Sequence, residues 1–419
     1  MHRGTRQIGG TCIELSYDGA RLLLDLGLPL DAGPDADHAA LMPPIPGLGS
    51  HDPSLLALVI SHGHGDHWGL SHLANASLPI IIGADTRRIL NAAATFVPRA
   101  LPGRLLDAGY ADPVLRDRES LRLGPFEITP YLVDHSAYDA YALLVEAGGR
   151  RLFYSGDLRG HGRKAALFER LLRDPPHRID AMLMEGSSLG RLDLNAAFPR
   201  EAEIEVAMAE RLSMRGLVVV CASAQNIDRM VTIYRACKRT GRTLVIDLYA
   251  AEVLAATGSA NVPTAGWPNL KVHVPQYQRQ RIARSGRFDL LAPYRPHRIY
   301  PEGLADLLPR AAMLFRPAMM ADIDALGDEA WSGAKAIWSQ WDGYLREGPG
   351  AKVRSDLAER GVPLEVIHTS GHASIADLRR LSEAIRPDAL VPIHTFDGDR
   401  FTSLFSNVVR RNDGEWWEV

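Results

Sequence analysis

Ser61-His62-Gly63-His64-Gly65-Asp66-His67 follows directly on the apolar run LLALVI. Imidazole and carboxylate are the ligands that borderline cations such as Zn²⁺ or Mn²⁺ accept. Gly63 and Gly65 permit a tight backbone course, so that His62 and His64 can face one ion while Asp66 and His67 turn toward a second. A polar loop with incidental histidines is the bland alternative, and it does not account for imidazoles and a carboxylate at this spacing. Three further residues share the same placement at the end of an apolar run: His135 after FEITPYLVD, Asp157 after RLFYSG and His394 after ALVPI. A lone histidine after a strand is more often a hydrogen-bonded core or surface residue. The shared position makes a converging set the better reading.

Such a set must be held by a substantial scaffold. The 419 residues suit two domains, and 46% hydrophobic with 23% charged residues excludes a disordered, collagen-like or coiled-coil chain. Lys+Arg 47 against Asp+Glu 50 gives −3, so no overall basic field announces nucleic acid, although a local basic groove fits inside a neutral total. Cys12, Cys221 and Cys237 are too scattered for a disulfide framework or a thiolate zinc site. No apolar run approaches a membrane span, and the N-terminus lacks a signal-peptide core. A cytoplasmic protein with no membrane partner is expected.

Runs rich in strand formers flank Asp18-Gly19 and predict a hairpin. LLALVIS, PIIIGA, FEITPYLVD, YALLVEAG and RLFYSGD continue as short strands, a pattern suited to stacked sheets covered by helices. From about residue 196 the pattern changes to α/β alternation: helix REAEIEVAMAERLSM, strand GLVVVCASA, helix NIDRMVTIYRACKRT, strand TLVIDLY and helix AAEVLAA, which predict a parallel sheet. DEAWSGAKAIWSQW predicts a helix. PLEVIHTS, the helix SIADLRRLSEAI, ALVPIHT and a closing NVVRR-turn-EWWEV hairpin return to the earlier style.

With these motifs the chain resembles the metallo-β-lactamase-fold hydrolases of the β-CASP nuclease group, of the bacterial RNase J type. The resemblance is carried by Asp25 in LLLDLGL, His62, His64, Asp66 and His67, His135 in DHS, Asp157 in SGD, Glu185 in MEGSS, His372 in TSGHAS and His394 in PIHT. It implies an α/β fold: an αββα sandwich over 1–195, an inserted β-CASP domain with a parallel sheet over 196–355, and completion of the sandwich by 356–419. It further implies two divalent metal ions, Zn²⁺ or Mn²⁺. One would take His62, His64 and His135, the other Asp66, His67 and His394, with Asp157 bridging and a shared water activated for attack on phosphorus. Asp66 would also orient the nucleophile. Asp25 and Glu185 would fix imidazole tautomers from behind the ligands.

His372 exceeds the ligand count. It stands in a turn opening the helix SIADLRRLSEAI, where free N–H groups favour a phosphate, and reads as a contact to the scissile phosphate and a general acid. Ser370, Gly371 and Ser374 of that turn, and Ser223 at a strand end of the inserted domain, are the expected substrate-binding residues; the bland reading of Ser374 is a helix N-cap. Arg279, Arg281, Arg284 and Arg287 with Tyr277 and Phe288 suit a single-stranded nucleic acid, against the commoner reading of a solvated face. Trp331, Trp338, Trp341 and Tyr344 could stack bases, but their spacing favours core packing. Thr395-Phe396 stands where the family commonly has Gly-Glu, and FRPAMM where it has a Gly-Ser-Gln-Gly-Glu-type segment, so the family's 5′-monophosphate pocket is not carried over. The expected activity is a metal-dependent ribonuclease on single-stranded RNA, with DNA as a second polymer and a homodimer as the assembly. Two rivals are a hydrolase of a small ester, thioester or lactone and a catalytically inactive nucleic-acid-binding homologue.

Overall fold

Alternation along the first strands decides how they stack. The structure is a computed structural model and describes residues 1–33, 35–97, 113–194 and 196–419. It divides into two compact units, 1–198 with 371–419, and 199–370. In the first unit, β1 (Ile13–Tyr17), β2 (Ala20–Leu24), β3 (Leu55–Val59), β4 (Ile80–Gly83) and β5 (Val114–Leu115) form one sheet in that order. A second sheet holds β6 (Leu121–Leu123), β7 (Phe126–Val133), β8 (Ala140–Ala147), β9 (Arg150–Tyr154), β10 (Ala181–Glu185) and, beside β10, the late strand Ala389–Ile393. Leu22, Leu24, Ala57, Val59 and Ile81 point inward against Ile128, Leu143, Val145, Leu183, Val391 and Ile393 of the other sheet. Their alternates Leu23, Leu58, Ile80 and Ile82 pack outward under Leu90 of the helix Ala84–Ala94. Ala142, Leu144, Met182, Met184 and Leu390 pack outward against Phe168 and Leu171 of one helix and Leu378 and Leu381 of another. The result is an αββα sandwich.

The Asp18-Gly19 turn has φ of 49° and 74°, both left-handed, as a two-residue hairpin joining β1 to its antiparallel partner β2 requires. Strand direction then sets the site. β2 and β3 are parallel, and β9, β10 and Ala389–Ile393 are parallel to one another. β7 is antiparallel to β8, and β8 to β9, so β7 runs with them. Asp25, Ser61, His135, Asp157, Glu185 and His394 all stand at or just beyond the carboxyl ends of these strands.

The second unit is a wholly parallel sheet of six strands: β11 (Val218–Cys221), β12 (Thr243–Asp247), β13 (Leu270–His273), β14 (Ala311–Leu314), β15 (Lys335–Trp338) and β16 (Leu364–Val366), in the order β13-β12-β14-β11-β15-β16. The expected helix over DEAWSGAKAIWSQW is replaced by a short 3₁₀ turn, Gly333 at φ 64°, and β15, whose KAIW is buried between β11 and β16. PLEVIHTS supplies β16 to this same sheet. The return to the first unit therefore comes at Gly371, later than the expected 356, and the expected boundary residue Asn195 lies outside the described residues. Among the described residues the closing hairpin does not form either: the chain turns at Asn412–Glu415, Val408 bridges to Leu390, and Trp417 and Val419 pack on the sandwich core. No helix among the described residues is long and apolar enough to cross a membrane.

Candidate metal centre

The loop after β3 is pinned by its backbone before any side chain acts. Gly10 N donates to Asp66 O (3.0 Å), Leu26 N to His67 O (2.8 Å) and Leu28 N to Gly65 O (3.0 Å). A Cβ on Gly27 would fall 1.7 Å from Asp66 O, so only glycine permits this approach. Asp25 and His394 carry φ of 58° and 52°, left-handed values that non-glycine residues hold only where the surroundings over-determine them.

The seven residues expected as ligands come together. His135 Nε2 lies 3.0 Å from His64 Nδ1, and the ring centroids of His62 and His135 are 4.7 Å apart. On the other side Asp157 Oδ2 is 3.1 Å from His67 Nε2, 3.5 Å from His394 Nε2 and 3.7 Å from His62 Nε2. Asp66 Oδ2 lies 3.6 Å from His394 Nε2 and 3.8 Å from His67 Nε2. His62, His64 and His135 form one group able to hold a cation, and Asp66, His67, Asp157 and His394 another. The fit to metal rests on orphaned donors. His62 Nε2, His394 Nε2 and Asp157 Oδ1 are buried without a hydrogen-bond partner, a costly state that a cation relieves.

Burial favours the unprotonated form across the first group. Burial holds His62 and His135 well below the ordinary imidazole value, and His64 down to about 4, so their lone pairs are not taken by protons. Burial opposes charge on His67 too, but the carboxylates of Asp157, Asp66 and Asp25 outweigh it and raise the group. Asp157 is buried, yet His394, His67 and His372 hold it well below the carboxylate range.

Behind the ligands, Asp25 is fully buried. Its Oδ1 accepts from Ser61 N (2.7 Å), and its Oδ2 accepts from Ser61 Oγ (2.8 Å), the Tyr154 hydroxyl (2.5 Å) and His67 Nδ1 (2.7 Å). Donating Nδ1–H there leaves His67 Nε2 as the ligand nitrogen. Thr11 Oγ1 stands 3.2 Å from His394 Nδ1. Ser61, Tyr154 and Thr11 had no signal in the sequence: a serine ahead of the histidines, a tyrosine ending an apolar run and an N-terminal threonine read as ordinary loop and core.

Glu185 serves a different histidine. Its Oε2 is 3.2 Å from His372 Nδ1, and its Oε1 accepts from Leu158 N (3.2 Å) and Ala373 N (3.4 Å). His372 Nδ1 is also 3.7 Å from Asp157 Oδ2. Burial opposes its charge, but Glu185 and Asp157 raise the group to about 9, an imidazolium at neutral pH. Gly371 is the close neighbour of this turn, since a Cβ there would fall 2.5 Å from Ser136 Oγ. Ser374 departs from the expected substrate role: it is 3% exposed and its hydroxyl caps the helix Ile375–Ile385 by accepting from Asp377 N. Ser370 closes the second unit. Ser223 is exposed at the carboxyl end of β11, also in that unit. Tyr277 is committed to Asp247 Oδ2, Arg287 to Asp289 and Arg279 to Asp322, so at least two of the four arginines of the expected basic run are paired.

Residues 28–191 match the model of the beta-lactamase superfamily domain. The chain is similar to Ribonuclease J of Mycobacterium tuberculosis (strain H37Rv), 22% identical across 93% of this chain and 67% of the relative. It is similar to Ribonuclease J of Synechocystis (22% identical; 93% of this chain, 59% of the relative) and of Corynebacterium glutamicum (23%; 93% and 52%). The chain thus spans between about half and two thirds of these relatives' length. Its fold is that of a crystal structure of a protein of unknown function from Enterococcus faecalis V583, at TM-score 0.77 and 22% identity, covering 99% of this chain and 97% of that one. The domain and the relatives' names together support a metal-dependent hydrolase.

Proposed function

We propose that this chain is a metal-dependent phosphodiesterase that hydrolyses single-stranded RNA, with single-stranded DNA as a second substrate. The observation that carries the reading is the meeting of both ligand groups at Asp157 Oδ2 with His372 Nδ1 3.7 Å from the same oxygen. His62, His64 and His135 would hold one divalent ion, and Asp66, His67 and His394 the other, with Asp157 shared. Zn²⁺ is the expected ion and Mn²⁺ the alternative. When bound, the pair supplies charge neutralisation at the phosphoryl oxygens and an acidified water. Asp66 would orient a water whose oxygen bonds to phosphorus as the leaving oxygen departs, and would accept its proton. As the bond from phosphorus to its leaving oxygen breaks, His372 hands that oxygen a proton. Glu185 holds His372 by Nδ1, so Nε2 is the nitrogen we assign to the scissile phosphate. An imidazolium contact to phosphate has no counterpart in the needs of a small neutral ester, which favours the phosphodiester. The Ribonuclease J relatives support the choice of polymer.

The test is cleavage of 5′-labelled single-stranded RNA and DNA with Zn²⁺, with Mn²⁺ and with a chelator. Metal-dependent cleavage is expected, and His372→Ala should lower its rate about 10²–10⁴-fold, the usual range for a lost general acid. An intact protein that cleaves neither polymer with either metal overturns the proposal. Wild-type rates in Asp66→Ala overturn the site.

A further inference from the structure

A second pocket lies in the parallel-sheet unit, on the helix Ile227–Thr240. Val231, Tyr234, Arg235 and Lys238 stand at i, i+3, i+4 and i+7 and so share one helix face. With Glu205, Arg239, Asn261 and Trp267 they line a cavity of about 350 Å³, within the size range of small-ligand sites. Its floor is aromatic. The Tyr234 and Trp267 rings meet edge to face, with centroids 5.2 Å apart and planes at 74°, and the buried Tyr234 is locked by its hydroxyl donating to Pro268 O (3.1 Å). Its rim is cationic. Glu205, with a side chain 7% exposed, accepts from Arg235 Nε (2.8 Å) and Arg239 Nη1 (3.4 Å), while Lys238 is exposed and pairs with no carboxylate among the described residues.

Three cations against one carboxylate leave a net positive rim, more than is needed to complement the last turn of the helix. The rim excludes a cationic guest, which would otherwise suit an aromatic floor. A bare inorganic anion has no use for the indole, and an apolar peptide would use the floor but leave the cations desolvated and unpaired. A neutral sugar would stack on the indole but leave the cations idle. What uses every wall is a flat aromatic ring bearing an anion, and Asn261 supplies donors and acceptors for the edge of such a ring.

We propose that this pocket binds a nucleotide, with its base on the Trp267 indole and its phosphate on Lys238 and the outward ends of Arg235 and Arg239. It stands at the C-terminal end of its helix and just ahead of β13, hence at the amino ends of the strands. Ser223 and Gln225 lie at their carboxyl ends, so the pocket is separate from the crevice where such sheets usually hold ligands. It contains no metal ligand, and the proposal does not depend on the hydrolytic reading. The same chemistry comes as a free nucleotide or as one residue of a single-stranded RNA.

The full chain in excess chelator, where no metal-dependent cleavage occurs, is titrated with AMP, adenosine, ribose 5-phosphate and an eight-residue oligoadenylate by calorimetry. AMP is expected to bind at least tenfold more tightly than adenosine or ribose 5-phosphate, because each lacks one half of the recognised group. Trp267→Ala should weaken binding about fivefold to a hundredfold, the range for a lost base stack. Lys238→Glu, an exposed change that does not threaten folding, should weaken it about tenfold. Pocket-dependent binding of oligoadenylate without AMP assigns the site to a strand, and the reverse assigns it to a free nucleotide. If ribose 5-phosphate matches AMP, or if neither AMP nor oligoadenylate responds to Lys238→Glu and Trp267→Ala, the assignment is wrong. Failure here leaves RNA cleavage by the sandwich unit untouched, and failure of cleavage leaves this titration valid.

Discussion

Tyr154, Ser61 and His67 all direct a proton at one oxygen, Asp25 Oδ2, from within a fully buried shell. Three donors on one carboxylate oxygen hold the Asp25 side chain in one place and, through it, the orientation of the His67 ring. If His67 holds a divalent ion as proposed, Asp25→Asn should lower affinity for it about 10–100-fold, and Tyr154→Phe less, read by chelator competition on refolded protein. Unchanged affinity in Asp25→Asn would remove Asp25 from the metal's support. The candidate ligands were legible because imidazoles and a carboxylate crowded into SHGHGDH have few other uses. Their supports were not. Tyr154 ends the run RLFY, and a tyrosine there is indistinguishable from a core residue until Asp25 appears beside it. Asp25 and Glu185 were recognisable only through family motifs, and Glu185 turns out to anchor His372 while Asp25 anchors His67.

At the scale of elements, the β1–β2 hairpin is tied to its surroundings by one carboxylate. Glu14, nearly buried, meets His2 Nε2 at 2.6 Å and Arg21 Nη1 at 2.9 Å, and Arg21 continues to Asp52 at 2.9 Å. Burial alone would raise the Glu14 pKa, but the hydrogen bonds and charges of His2 and Arg21 hold it below the usual value. A carboxyl depressed in the folded state stabilises fully above its unfolded pKa of about 4.3 and loses that stabilisation as pH falls through the folded value. Glu14→Gln should cost about 1–2 kcal/mol at pH 7 by urea denaturation, and the gap to wild type should close toward pH 3. A gap that persists there would show that shape, not charge, holds the hairpin. The hairpin was readable because Asp18-Gly19 carries its own turn chemistry. KAIW was not, since a strand buried on both faces of a parallel sheet shows no alternation, and the spacing of Trp331, Trp338, Trp341 and Tyr344 imitated a helix. Trp338 is in fact buried on β15, while Trp341 and Tyr344 are 43% and 52% exposed and pair edge to face.

For the whole molecule, candidate ligands at His62 through Asp157 and again at His394 imply that the chain leaves the sandwich and returns to finish it, as the two units show. Insertion was thus implied by motif order alone. Where the return occurs was not, because β16 is too short and too exposed to declare its sheet, and only its pairing with β15 assigns it to the second unit. All seven candidate ligand residues, Glu185 and His372 belong to the first unit, and the ends of the second are tied to each other by Thr369 Oγ1 donating to Pro199 O at 2.6 Å. A short linker can span ends held that close at little entropic cost. Replacing 199–370 with a short Gly-Ser linker should therefore leave a folded sandwich with the same metal stoichiometry by elemental analysis. If the parallel-sheet unit carries the strand contacts, the shortened protein should bind single-stranded RNA at least tenfold more weakly in chelator. Loss of metal with retained fold would place part of the ion-holding apparatus in the excised unit, and undiminished RNA binding would move the strand contacts onto the sandwich.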